Sequence, residues 1–167
     1  IVIQDFCGAH NGDLSKSGAR LMKGGSWLRQ RIIMIIPADA MMASKVCLSI
    51  CNLVMPPNNG CVRILAQGVE VGEGYSATIQ YCLNHPDLKD WEYVLCYEHD
   101  NLAPQDGVLK LLETLEAHKE LSAVGGLYFT KGEGGVAQIW GDPNDPITNF
   151  RPQVPKPDTV QECCWLG

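Results

Sequence analysis

Glu98-His99-Asp100-Asn101 places two carboxylates, an imidazole and a carboxamide directly after the run Trp91 to Tyr97, WEYVLCY. A run so rich in aromatic and aliphatic side chains predicts a β-strand. If extended backbone continues into the tetrad, residues two apart share a face, so Glu98 and Asp100 converge on one point while His99 turns away. Two carboxylates at one point suit a hard cation. Mg²⁺ or Mn²⁺ takes one or two protein carboxylates and fills its shell with water and phosphate oxygens, and there it would offset the charge on a departing diphosphate. The same residues also fit a plainer role, as solvated acids at a strand end with Asp100 capping a turn at Asn101.

Few other residues offer chemistry. His99 has two readings, contact with a phosphate or sugar, and packing or exposure to solvent. His10, His85 and His118 stand in loops or at a helix end without a cluster. Trp140, beside a proline-rich stretch, suits either stacking on the apolar face of a pyranose or closure of the core. Gly132, Gly134 and Gly135 follow a strand without opening a helix, so they read as a hairpin turn and not as a phosphate cradle. No G-x-x-x-x-G-K-[ST] or G-x-G-x-x-G motif stands between a strand and a helix, which argues against P-loop and dinucleotide enzymes.

The elements that would position these residues alternate. Ile32 to Ile36, stopped by Pro37, is the apolar run of a strand buried on both faces. Val46, Ile50, Leu53 and Val54 recur at helical spacing until Pro56-Pro57 and Asn58-Asn59-Gly60 end the helix. Cys61 to Ala66 reads as a second strand. A second helix follows Gly72 to Gly74 with Tyr75, Ile79, Cys82 and Leu83 on one side. After the WEYVLCY strand, Pro104 and Asp106 open a third helix with a stripe of Val108, Leu111, Leu112 and Leu115. Ala123 to Thr130, Val136 to Trp140 and Val160 to Leu166 read as further strands, and five prolines between 141 and 158 exclude regular structure there. The pattern predicts an α/β fold, a Rossmann-like, mainly parallel sheet with helices on both faces, which binds ligands beyond the carboxyl ends of its strands.

With 167 residues, the chain has room for one ordinary domain. That domain is expected over 31–167, with 1–30 a loosely ordered lead-in and Met22 a conceivable initiator. Hydrophobic residues at 46% and charged residues at 19% exclude a disordered or coiled-coil chain. The longest apolar run is far short of a membrane span. Thirteen basic against nineteen acidic residues, net charge −6, leave no basic stripe for a nucleic acid. An acidic protein that handles phosphorylated ligands must relieve the repulsion locally, and a bound cation does so. Cys47, Cys82 and Cys96 sit in apolar stretches, as small buried thiols do, and the start of the chain does not read as a signal peptide. Reduced thiols and a cytoplasmic location are expected. Cys47 and Cys51 read as core thiols one helical turn apart, since a zinc site would need two more ligands.

The segment Tyr93 to Leu112, YVLCYEHDNLAPQDGVLKLL, resembles the part of family 2 type glycosyltransferases in which a hydrophobic strand runs into a D-x-D motif and then into a helix opened by proline and acidic residues. RIIMIIPA, GVEVGEGYSATIQYCL and SAVGGLYFTKG are similar, in order, to other stretches of that GT-A fold, so the resemblance spans about residues 31 to 167. It implies a metal-dependent transferase that takes a sugar from a nucleotide-diphosphate donor to an acceptor hydroxyl. By the same resemblance Asp100, with Glu98 in the place of the first acid, binds Mn²⁺ or Mg²⁺. Pro37, Ala38 and Asp39 correspond to the loop around nucleobase and ribose. Glu98 is one methylene longer than the usual Asp, which suits a shift from the metal toward the sugar or ribose. Gly74-Tyr75-Ser76 stands where many relatives carry Arg-Asn. The catalytic base of inverting relatives would lie beyond Trp165-Leu166-Gly167. A noncatalytic sugar-nucleotide or carbohydrate-binding module of the same fold is the alternative, and a nucleotidyltransferase would show a more basic loop than PADAMMASK, with Lys45 alone.

Overall fold

The computed structural model describes residues 2–4, 31–56, 61–130 and 132–166, with backbone alone for 2–4 and 166. Contacts gather them into two compact units, one of residues 31–106 and one of residues 2–4 and 107–166. The expected single domain over 31–167 spans both. Of the lead-in, Val2–Gln4 is a strand, β1; its other residues, and the turn residues 57–60, lie outside the described ones.

The first unit is built on β2 (Ile32–Ala38), buried at every position. A seven-residue run without a polar side chain has no face to offer water, and the chain satisfies it by placing β2 between two parallel neighbours, β3 (Cys61–Gln67) and β4 (Tyr93–Cys96). The register pairs Ile33 with Val62 and Val94, and Ile35 with Ile64 and Cys96. On that face lies α2 (Val71–Asn84), whose Cys82 joins Ile33, Ile35 and Leu88 in one cluster. Gly74 lets the helix approach: a Cβ there would stand 3.3 Å from Val69 Cγ2 and 3.4 Å from Ala66 Cβ. The other connection carries α1 (Ser44–Asn52), whose Ser49 Oγ lies 3.3 Å from the hydroxyl of Tyr97, just past β4.

Helix positions were legible, but their rotation was not. In α2 the buried side is Gly74, Thr78 and Cys82, while Ile79 and Leu83 are 37% and 59% exposed. In α1 Val46 and Ile50 face inward, so Cys47 and Cys51, each one residue further round, are exposed and not core thiols. Cys96 is exposed too, because β4 is an edge strand and α2 packs on β2 and β3.

In the second unit, β1 pairs in parallel with β5 (Val124–Gly126) and antiparallel with β7 (Val160–Glu162). β6 (Ile139–Trp140) pairs antiparallel with β8 (Trp165–Leu166). The expected strand over 160–166 is therefore two, each in a different sheet. Helix α3 (Gly107–Ala117) buries Val108, Leu109 and Leu112, with Leu111 and Leu115 only half-buried. Phe129 bridges Ala137 across the glycine-rich turn, as a hairpin requires. The proline-rich stretch is tied down by Gln153, whose Nε2 donates to the carbonyls of Gly141 and Glu162. Gly141 has φ 70° and no room for a side chain beside Asn149 O and the Trp165 ring. Among the described residues no helix is long and apolar enough to cross a membrane.

The first unit depends on the packing of β2. Met34 is fully buried, so Met34→Ala is expected to lower unfolding free energy by about 2–5 kcal/mol, read from the urea midpoint. A loss below about 1 kcal/mol would show that this strand is not a tightly packed centre.

Candidate functional site

The order β3-β2-β4 fixes where the strand ends can serve a ligand. From β2 the chain crosses to β3 on one side, then returns past β2 to β4 on the other. Parallel crossovers are right-handed, so these opposite steps put their helices on opposite faces. The loops leaving β2 and β4 consequently part, and open sheets bind ligands at this switch point, outside the carboxyl ends of the strands. Asp39 follows β2 and His99 follows β4; His99 Nε2 lies 3.6 Å from Asp39 Oδ2. From the end of β3, Gln67 Nε2 donates to Asp39 O at 3.4 Å. Three strand ends thus meet in one place. A pair with one partner as exposed as Asp39 adds little stability; its interest lies in its position.

The acidic tetrad is not extended, which corrects the expectation that strand alternation points Glu98 and Asp100 at one spot. The Tyr97 amide still donates to Ile35 O at 3.0 Å, but the chain then turns, and Asn101 N–H donates to Glu98 O at 3.3 Å. His99 and Asp100 occupy the corners of that turn, which is why His99 reaches across to Asp39. Asp100 is exposed, and Glu98 is half-buried. Tyr97 holds the turn in place. Its hydroxyl accepts from Ala103 N–H at 3.2 Å and donates to Asn101 O at 3.0 Å, while Ser49 Oγ donates to Ala103 O at 3.1 Å. A buried phenol with several partners is a firm post for a loop.

The charge of Glu98 bears on Tyr75, which the spacing places on the apolar side of α2. Tyr75 of α2 is half-buried against the Ile33–Ile35 cluster, and burial, with the charges of Cys96 and Glu98 added, pushes its phenol well above the ordinary 10.0. Cys96, exposed as a residue, has its thiol raised by partial desolvation first, with Glu98 adding to the effect. Gln67 was missed because the second strand was ended at Ala66, one residue early.

Pro37 and Ala38 end β2 and are both buried. Trp140 lies in the other unit, half-buried in β6 and paired in register with Trp165, on whose ring Phe150 stacks at 3.9 Å. The two helix starts nearest the strand ends differ. α2 is capped by its own acids: Glu70 Oε2 accepts from Glu73 N–H, and the amides of Gly72 and Glu73 hold the Glu70 carboxyl below its usual range. α1 has no side-chain cap, no acid in its first turn, and Lys45 beside it. Anions favour such an end.

Among the described residues no three His, Cys, Asp or Glu side chains gather as a set of metal ligands. Mg²⁺ and Mn²⁺ do not require one, since one or two carboxylates suffice when phosphate oxygens complete the shell. The exposed Asp100 and the half-buried Glu98 are hard oxygen donors of the fitting kind. Comparison with family models, curated proteins and solved structures finds no match.

Removal of the Tyr97 hydroxyl tests how the turn is held. Tyr97→Phe is expected to cost about 1–3 kcal/mol and to speed hydrogen exchange at Ala103 N–H at least tenfold, measured by NMR. Unchanged exchange at Ala103 would show that the loop is held by other contacts.

Proposed function

We propose that this chain forms the donor-binding part of a metal-dependent glycosyltransferase, which moves a sugar from a nucleotide-diphosphate donor to an acceptor hydroxyl. One observation carries the reading: Asp39 and His99 meet at the switch point of a parallel sheet, where a nucleotide has strand ends on either side. In this arrangement the backbone of Pro37 and Ala38 with Asp39 receives nucleobase and ribose, and His99 reaches a phosphate or the sugar. The uncapped start of α1 with Lys45 suits the diphosphate. Asp100 and Glu98 would hold Mn²⁺ or Mg²⁺, which when bound supplies charge stabilisation to a leaving diphosphate. The protein positions donor and acceptor so that the acceptor hydroxyl meets the anomeric carbon in line. The thiols suit a reducing compartment such as the cytoplasm.

A second reading, a noncatalytic sugar-nucleotide or carbohydrate-binding module, has an observation in its favour. Gly74-Tyr75-Ser76 at the first turns of α2 carries no basic side chain, so this stretch offers no cation to the diphosphate. Trp140 would serve such a module as a sugar platform.

Titration calorimetry with UDP-glucose, UDP-N-acetylglucosamine and GDP-mannose, with and without Mn²⁺, tests the proposal. Binding of at least one donor is expected only with metal, and weaker by tenfold or more in Asp100→Asn. Binding that ignores the metal, or no binding at all, contradicts the reading. Slow hydrolysis of the bound donor would separate enzyme from module.

A further inference from the structure

Helix α1 carries two thiols that the core does not use. Val46 and Ile50 are its buried residues and fix how the helix is turned; Cys47 and Cys51, each one position further on, are free and exposed. Four positions apart, the two cysteines stand one above the other on a single face, with Cβ atoms about 5–6 Å apart. A disulfide needs Cβ atoms about 3.5–4.5 Å apart, so the pair cannot close on itself while the helix is intact. An ion between the sulfurs can bridge it. Two metal–sulfur bonds of about 2.3 Å, the length zinc makes, laid end to end, nearly span the gap.

The number of ligands selects the ion. Structural zinc asks for four, and among the described residues no third His, Cys, Asp or Glu gathers with these two. Thiolates are soft donors, and Cu(I) is the soft ion that they favour. With a filled d shell it is stable between two sulfurs in line.

We propose that Cys47 and Cys51 form a two-thiol site for Cu(I) on the exposed face of α1. Each thiol gives up its proton as the ion binds, and no electron is transferred. The site is separate from the Mn²⁺ or Mg²⁺ proposed for the turn after β4, which takes oxygen donors, so either can fail without the other.

Competition with bathocuproine disulfonate tests it. The reduced full chain, kept from air, is titrated into Cu(I) held by that chelator, whose visible absorbance falls as the ion is transferred. At one equivalent, Cu(I) is expected to pass to the wild-type chain, and X-ray absorption to show two sulfur neighbours. Cys47→Ser and Cys51→Ser are each expected to weaken binding about a hundredfold, because the helix no longer presents a second thiol at high effective concentration. The double substitution should lose little more. Cys96→Ser, which removes an exposed thiol outside α1, is expected to change nothing. Combining Cys51→Ser with Asn52→Cys keeps the number of thiols but moves one about 100° round the helix, and tight binding is expected to be lost. Transfer that survives this relocation, an equal loss in Cys96→Ser, three or more sulfur neighbours, or no transfer to the wild-type chain overturns the proposal.

Discussion

β2 has no solvent-facing residue from Ile32 to Ala38, and most of the first unit follows from that. A strand with two apolar faces needs a neighbour on each edge and cover above and below. The chain supplies both by crossing to β3 on one side and to β4 on the other. Polar groups that must sit near the sheet can then only stand where the strands end. Asp39, Gln67 and His99 do so, and they meet because the three strands run parallel and in register. The site is in this sense a by-product of burying Ile32 to Ile36.

What could be read from the residues was what depends on local pattern. The run IIMII, stopped by proline, identified a central strand because no surface strand tolerates five consecutive apolar side chains. The three helices were placed because their apolar residues recur at helical spacing. Their rotation is set by the surface they meet, so Ile79 and Leu83 face outward while Gly74 and Thr78 face in. The spacing alone cannot choose between these, as Tyr75 and Ile79 continue a helical stripe as well as Thr78 does.

The tetrad shows the same limit at the site itself. Its residue types pointed to a cation and a ligand, but its shape followed from Tyr97, whose hydroxyl gathers Asn101, Ala103 and Ser49. Those partners lie up to 48 positions away, beyond the reach of any local rule. Strand β1 was hidden for the same reason, as Val2–Gln4 finds its partners at Val124–Gly126 and Val160–Glu162.

An acidic chain of net charge −6 needs positive charge at the point of contact if it is to accept a diphosphate, and the cation proposed for the turn after β4 would supply it. Paramagnetic Mn²⁺ reports on this directly. In ¹H–¹⁵N spectra recorded with UDP or GDP, substoichiometric Mn²⁺ should erase the amide signals of Glu98 to Asn101 and of Ala38 and Asp39, and leave those at the far end of α2, near Asn84, intact. Signals that survive at Glu98 to Asn101 while others vanish elsewhere would contradict the account.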